Sequence, residues 1–452
     1  MKRYIPANFN IEIHLAQYPP SIKNFHRDIL IQILHVICTR YLIYNLSSSS
    51  YVPLMGSILN RYSRQYKQYI SYLIETEIIE CDNQYIIGEK SLSYRLTSHY
   101  RLLLREVFIH RPSLIRTILK KEKRIKSKSS QIYHLTKWYN DQLRIDLDGA
   151  LEFLDNEMRN KLNHCSISVS SEEILKLKIN HQRQCIIIEK IGNQNYYYFR
   201  DTTSGRFHSN LTGVPRSLRK FLTFNGESLV AIDLSNSQPL LIILLFKKDF
   251  YDPPQDSALT DKRYSPLTFS SITNRYKIIF SNSKGTLPAE WFANKIAAVS
   301  NSCSENVAYY TTQTGQGAFY NSLITGDSSP QQNEKIKKKT LTYLYGEERI
   351  MPFVIPEMDM LYPCLSEISS IFKCSGHKNF SILLQAIEST IFIDRICKRI
   401  ATEAPLVPIF PIHDCIVTTQ QHVNYVSCVI TDEISLILGV KPTLKHKNWS
   451  SG

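Results

Sequence analysis

Apolar residues recur at helical spacing over His26–Leu46 (HRDILIQILHVICTRYLIYNL), which predicts a helix with one buried face. From Tyr51 to Leu96 the pattern changes partway. Ile58, Leu59, Tyr62, Tyr66, Tyr69, Ile70, Leu73 and Ile74 follow a period near 3.6 and predict two short helices. The chain then alternates as short strands, with Asp82-Asn83 as a turn and Gly88 as a second break. Arg101–Leu154 reads as helical, interrupted at Ser127–Ser130. Cys165–Phe199 combines a serine-rich loop with the strand-like runs CIIIEK and YYYF. Tyr251–Gln332 is rich in Ser, Thr and Asn and reads as an insertion with short helices.

The order helix, helix, small hairpin in Tyr51–Leu96 resembles a winged helix. A plain helical lobe packed on the next part of the chain is the alternative. No internal repeat or extended low-complexity tract is present.

The chain has 452 residues, enough for two to four domains and a sizeable core. Its formal charge of +14 favours a polyanionic partner, nucleic acid before an anionic membrane surface. The excess is concentrated: Arg101–Asn140 holds eleven Lys/Arg against Glu106 and Glu122, a local net of +9. The ten cysteines include no CxxC pair, which argues for reduced thiols rather than a disulfide scaffold or a zinc site. The first residues carry no apolar signal-like core, and the run LLIILLF near Leu240 is too short to span a bilayer. A cytoplasmic protein of a bacterium, of a phage or mobile-element host, or of an organelle is expected, with no membrane partner. The Ile, Lys, Tyr and Ser usage suggests an AT-rich genome.

Two stretches place an acid inside an otherwise apolar segment. SLVAIDLSNSQP runs as a strand to Asp233, and a helix starts from Ser235, so Asp233 sits where a side chain is presented rather than packed. In PIFPIHDCIV, strand-formers flank His413-Asp414, which places Asp414 at a hairpin tip. Taken singly, each acid is a turn or cap residue. Brought together, two such carboxylates repel unless a divalent cation lies between them, and a carboxylate pair with room for phosphate oxygens suits two-metal phosphoryl transfer. A third stretch, NEKIKKKTLTYLYGEE, reads as a helix with Lys337, Leu341 and Tyr345 on one face, a cation, an apolar side chain and a ring that could meet a triphosphate, a base and a sugar.

These stretches together resemble the palm and fingers of the DNA polymerase I family (family A) and of the phage-type single-subunit RNA polymerases. SGR at Ser204–Arg206 resembles that family's TGR element and VAIDLSNSQP its motif A. Lys337-x3-Leu341-x3-Tyr345-Gly346 resembles motif B, SILLQAIES the Gln-bearing helix with Gln385, and PIHDCIV motif C. Their order is the family's order, and the resemblance spans Thr202 to the C-terminus. It implies an α+β right-hand polymerase with an antiparallel palm sheet, helical fingers and a helical thumb, plus an N-terminal, mostly helical, winged-helix-like lobe. The expected divisions are an N-terminal lobe (1–100), a basic thumb-like region (101–200), palm with motif A (201–250), fingers with an insertion (251–360) and palm with motif C (361–452). Departures are Asn333 where the family has a triphosphate-contacting Arg, with Lys335 or Lys338 as substitutes, Ser381 where the DNA enzymes have Asn, and Cys415 after the motif C acid.

The resemblance further implies two Mg²⁺ ions, with Mn²⁺ as an alternative, on Asp233, Asp414 and the Leu234 carbonyl. Lys337 is assigned to the triphosphate and the leaving group, with Leu341, Tyr345, Gln238 and Lys338 around the nucleotide. Arg206, Gln385, His413, Arg216 and Arg219 are the candidate nucleic-acid contacts. Gln238 stands five residues past Asp233, where the DNA enzymes carry Glu and the RNA polymerases Gly. Its bulk, with Tyr345, favours deoxynucleotides and hence DNA synthesis on a primer-template. The upstream residues show no spaced carboxylates of a proofreading exonuclease. Oligomeric state, template type and pathway stay open, and an RNA polymerase or a non-catalytic DNA-binding replication protein are the competing readings.

Overall fold

The computed structural model describes residues 1–43, 51–86, 90–101, 103–127, 131–163, 170–283, 285–324, 329–347 and 356–450. The break expected at Gly88, the part of the SKSS break beyond Ser127, and most of the serine-rich loop after Cys165 lie outside them. The protein forms two compact units, Met1–Lys128 with Ile145–Asn195, and Ser129–Arg144 with Tyr196–Gly452. The stretch 101–200, expected as one thumb-like region, is thus shared between them.

In the first unit the helix Arg27–Ile43 is followed by a strand (Val52–Pro53), two helices (Gly56–Leu59 and Tyr66–Glu75) and two strands (Ile79–Cys81 and Ser93–Leu96). The last strand lies between the other two. Leu30, Ile33, Leu34, Ile37, Leu59, Tyr69 and Leu73 are buried in one core, so the period read from the sequence becomes the inward face of these helices.

Two expectations are corrected here. Leu104–Phe108 is a strand, not helix, paired antiparallel with Lys2–Pro6. The pairing satisfies the backbone of LREVF, in which only Leu104 and Val107 are buried, and no local signal announces a partner about a hundred residues away. CIIIEK belongs to the helix Ser171–Gly192, not to a strand. Ser170 Oγ accepts from the Glu173 N–H and Glu173 accepts from the Ser170 N–H, a capping box that starts the helix, and Ile186, Ile188 and Ile191 are buried along it. Packing there overrides the strand preference of three consecutive isoleucines.

The second unit is built on an antiparallel sheet. Its central strand, Glu227–Leu234, pairs with Cys415–Thr419 on one side and with Leu444–Asn448 and Leu222–Phe224 on the other. Phe410–Ile412 extends the sheet beyond Cys415–Thr419, and Leu143–Ile145 lies at the other edge. The helix Val423–Leu438 packs against the central strands with Val426, Val429, Ile430, Ile434 and Ile437 buried. The helix His377–Ser389 continues through a wider-wound π segment, Thr390–Ile396, into Cys397–Glu403. The insertion expected at Tyr251–Gln332 contains the helices Phe269–Tyr276, Ala289–Ser302 and Ser304–Gly315. No described helix is long and apolar enough to cross a membrane.

Candidate active site

The central strand runs apolar and buried from Leu229 to Ile232 and then presents Asp233 at its end. The next turn puts Asn236 in the left-handed region (φ 53°) as the cap of the helix Ser237–Ile242. On the neighbouring hairpin, Ile412 pairs with Cys415, which leaves His413-Asp414 as a two-residue tip, and His413 takes φ 56°. A non-glycine residue there costs about 1 kcal/mol and is held by its surroundings. Asp233 lies opposite Cys415 in the register, and the Leu234 N–H donates to the Asp414 carbonyl at 3.3 Å. The two acids are therefore neighbours across the strand pair.

Electrostatics report the same proximity. Burial raises the Asp414 carboxyl above the ordinary aspartate value, and the charge of Asp233 raises it further; Lys337 and Arg206 pull it back. Lys447, on the strand Leu444–Asn448, donates to Asp233 Oδ2 at 2.6 Å. An ammonium thus stands beside one carboxylate, while the other is raised by burial and by its neighbour's charge and only partly relieved by Lys337 and Arg206. This donor set, one hard oxygen acid at a strand end and one at the neighbouring hairpin tip, fits a divalent cation. Beside the acids lies a cavity of about 480 Å³ lined by Arg216, Arg219, His413, Lys447 and Trp449. The Arg219 guanidinium lies 5.2 Å from the Trp449 ring. Burial, then the charges of Arg206, His208 and Arg219, lowers the His413 imidazole to about 4, so it is neutral at physiological pH. Burial pushes the Cys415 thiol up, and both acids add to this, so it stays protonated.

On the other side of the acids, four predicted or neighbouring residues join into one chain of hydrogen bonds. The Tyr345 hydroxyl donates to Gln238 Oε1 at 2.7 Å. Gln238 Nε2 donates to Glu388 Oε2. Arg206 donates to Glu388 Oε1 from Nη2 at 2.8 Å and from Nε at 3.1 Å. Glu388 is 2% exposed. Burial raises its carboxyl to about 7 and the charge of Asp414 adds to this, while Arg206 and Gln238 oppose it. Burial pushes up the Tyr345 phenol, with Glu388 the next cause, so it remains a donor.

The predicted residues thus gather unevenly. Asp233, Asp414, His413, Arg216 and Arg219 share one cavity. Lys337 is exposed on the helix Pro330–Tyr345, with its charge acting on Asp414, and Leu341 is half-buried one turn further along. Gln385 is half-buried one turn before Glu388. Leu234 is buried as the last residue of the central strand. Lys338 pairs with Glu334 at 3.0 Å on an exposed surface that Lys335 shares. Arg206 faces Glu388 rather than open solvent, an engagement the sequence did not announce.

The loop that carries Arg206 is held from within. The Asp201 carboxylate accepts from the N–H groups of Thr203, Ser204, Gly205 and Arg206. Burial alone would raise its pKa, but His208 and these N–H groups outweigh it and hold the carboxyl far below the usual range. Gly205 has φ 74°, and a Cβ there would lie 2.2 Å from the Tyr276 hydroxyl oxygen. Gly205→Ala is therefore expected to destabilise the protein by more than about 1 kcal/mol in thermal or chemical denaturation. Adding Tyr276→Phe should recover little, because two carbons of the ring would still lie 2.7 and 2.8 Å from the new Cβ and the positive φ remains.

Glu388, Lys447, Trp449, Asp201 and Tyr320, whose buried phenol feels the charge of Asp414, were not singled out from the sequence. Glu388 had a readable signal, an acid in the otherwise apolar helix FSILLQAIES. Lys447 had none.

No family model and no curated protein matches the chain. Among solved structures it is similar to the polymerase domain of Pol1 from M. smegmatis in complex with DNA primer-template and dNTP. That similarity has 13% identity and a TM-score of 0.33, over 75% of this chain and 74% of that one. A superposition that loose carries no functional inference, and function has to be read from the site itself.

Proposed function

We propose that the protein is a template-directed nucleotidyltransferase, a DNA-directed DNA polymerase of the family A kind. The observation that carries this is the placement of Asp233 at the end of the central strand beside the hairpin tip that holds Asp414, whose carboxyl feels the charge of Asp233 and of Lys337, with the Gln238–Tyr345 pair nearby. Asp233 and Asp414 would hold Mg²⁺ or Mn²⁺, which when bound supplies charge neutralisation for the attacking hydroxyl and for the triphosphate. The chain's own part is positioning. Lys337 meets the triphosphate charge, and Gln238 with Tyr345 bounds the sugar. Arg216, Arg219 and Lys447 give the neighbouring cavity a positive wall suited to backbone phosphates.

The deciding experiment is extension of a primed DNA template by the full chain with Mg²⁺ and either deoxy- or ribonucleoside triphosphates. Deoxynucleotide addition that obeys the template supports the reading. Preferential ribonucleotide addition would make it an RNA polymerase, and tight duplex binding with no addition would make it a non-catalytic DNA-binding protein. Removal of a mismatched 3′ nucleotide would overturn the expectation of no proofreading.

For the first unit we propose a winged helix that holds duplex DNA. The order helix, strand, helix, helix, strand, strand, with the last strand in the middle, supports this. The helix Tyr66–Glu75 buries Tyr69, Ile70, Tyr72 and Leu73 and leaves Lys67, Gln68 and Ser71 exposed, with Arg64 exposed just ahead of it. Arg64→Ala with Lys67→Ala is expected to weaken duplex binding and to reduce the slope of log K against log salt by about 2, measured by fluorescence anisotropy. An unchanged slope would remove this surface from the interface.

A further inference from the structure

We infer that Glu388 is the positioning residue that sets Gln238 as a fixed wall against the 2′-hydroxyl of an incoming nucleotide. The inference rests on the proposed nucleotide site and deepens it.

A glutamine side chain is long and mobile, and ordering it costs conformational freedom. On its own Gln238 would swing, and a swinging side chain discriminates poorly. Here both ends of its amide are engaged. Oε1 accepts from the Tyr345 hydroxyl, and Nε2 donates to Glu388. The orientation of the amide is fixed by Glu388 alone. A Tyr hydroxyl can donate or accept and would tolerate either end, whereas a carboxylate facing the amide oxygen would be repelled. With its polar ends used, Gln238 offers a sugar mainly its methylene stem. A ribose 2′-hydroxyl brought there would lose water without finding an equivalent partner, whereas the deoxyribose C2′ methylene loses nothing.

Glu388 is otherwise hard to account for. It is a buried acid in an apolar helix between Ile387 and Ser389, both also buried. Such a group destabilises the fold unless fully paired, and a hydrophobic residue of similar size is often at least as stable in its place. Its partners are not packing neighbours but site residues: Arg206 on one oxygen and Gln238 on the other, 182 and 150 residues away in sequence. The same carboxylate therefore ties the sugar wall to Arg206, so that the wall and a residue proposed to touch nucleic acid are set together.

The test is steady-state kcat/KM for one deoxy- and one ribonucleoside triphosphate on the same primed template, with wild type, Glu388→Gln, Gln238→Glu and the double swap Gln238→Glu/Glu388→Gln. In Glu388→Gln the amide oxygen stays with Arg206 and an amide nitrogen faces Gln238, whose own amide must turn over; the Tyr345 hydroxyl then accepts from Gln238 and its O–H is released towards the sugar. This variant is expected to lower the deoxy-to-ribo ratio about tenfold, mainly through better ribonucleotide use. Gln238→Glu sets two carboxylates against each other and is expected to lower the ratio and raise KM for the deoxynucleotide. In the double swap the carboxylate sits at position 238 and the amide at position 388. Tyr345 and the amide nitrogen then both donate to the carboxylate, and Arg206 donates to the amide oxygen. Every donor again has an acceptor, so the ratio should return to within a few-fold of wild type. A purely structural role for Glu388 would not be repaired by this exchange. A ratio unmoved by Glu388→Gln, or a double swap no better than its single parents, overturns the inference while the polymerase reading stands. A wild type that incorporates neither sugar overturns both.

Discussion

Replacing Asp414 by asparagine is expected to abolish nucleotide incorporation and, in metal-free buffer, to raise the stability of the fold. The two effects share one cause. The Asp414 carboxyl is held above the ordinary aspartate value by burial and by the charge of Asp233. The folded protein therefore loses stability as pH rises from the unfolded aspartate value through the higher folded one. Asparagine keeps the shape and one acceptor oxygen and removes the repulsion. It also removes half of the anionic pair that would hold the cations, and charge stabilisation of several kcal/mol corresponds to a loss of about 10³-fold or more. Asp233→Asn should be equally inactive but gain less stability, because it strips Lys447 of its 2.6 Å partner. Primer extension together with thermal denaturation in EDTA reads both quantities. An Asp414→Asn protein that still extends primers, or that melts below wild type in EDTA, contradicts the shared site.

The pair of acids was legible because each announces itself locally. Asp233 ends an apolar strand ahead of a helix, and Asp414 stands at a tip that two apolar strands leave no room to widen. A short-range pattern of this kind shows where a side chain is presented. It does not show what comes to meet it. Lys447 is 214 residues from Asp233 and reaches it only because Leu444–Asn448 lies beside the central strand. Its segment LKHKN is exposed and polar after Leu444 and reads like any solvated stretch. The lysine run Lys337–Lys339 shows the same limit. In a run of three lysines the sequence cannot say which faces the site, and one residue of helix turns a side chain by about 100°. The charge of Lys337 acts on Asp414, and Lys338 pairs with Glu334. The misread helix Ser171–Gly192 failed for a different reason: side-chain branching pointed one way and the cap at Ser170 the other, and a cap with a buried face prevails over propensity.

Asp394→Asn is expected to destabilise the second unit by about 3–5 kcal/mol and to loosen the loop that carries Arg206. Asp394 is buried in the π segment and accepts from Arg200 Nη1 and Nη2, each at 2.7 Å, and from Arg275 Nη1 at 2.8 Å. Removing its charge leaves two guanidinium groups without their counterion, one of them largely buried. Arg200 also donates from Nε to the Gly205 carbonyl at 2.7 Å, so the same clamp fixes the backbone next to Arg206. Burial alone would raise the Asp394 carboxyl, but Arg200, then Arg275 and Lys398, hold it below the ordinary aspartate value. The stability it contributes is therefore present above pH 3.8, the ordinary aspartate value, and is lost as pH falls through the lower folded value. Wild type should show this acid limb in urea denaturation measured across pH, and Asp394→Asn should lack it while being weaker at neutral pH. In a double-mutant cycle, Asp394→Asn with Arg200→Gln should cost less than the two single changes summed, because the second removes a charge the first left stranded. Additive losses would mean that Asp394 and Arg200 stabilise the fold separately. In that case Arg200 would hold the Gly205 turn, and through it Arg206, without help from the π segment.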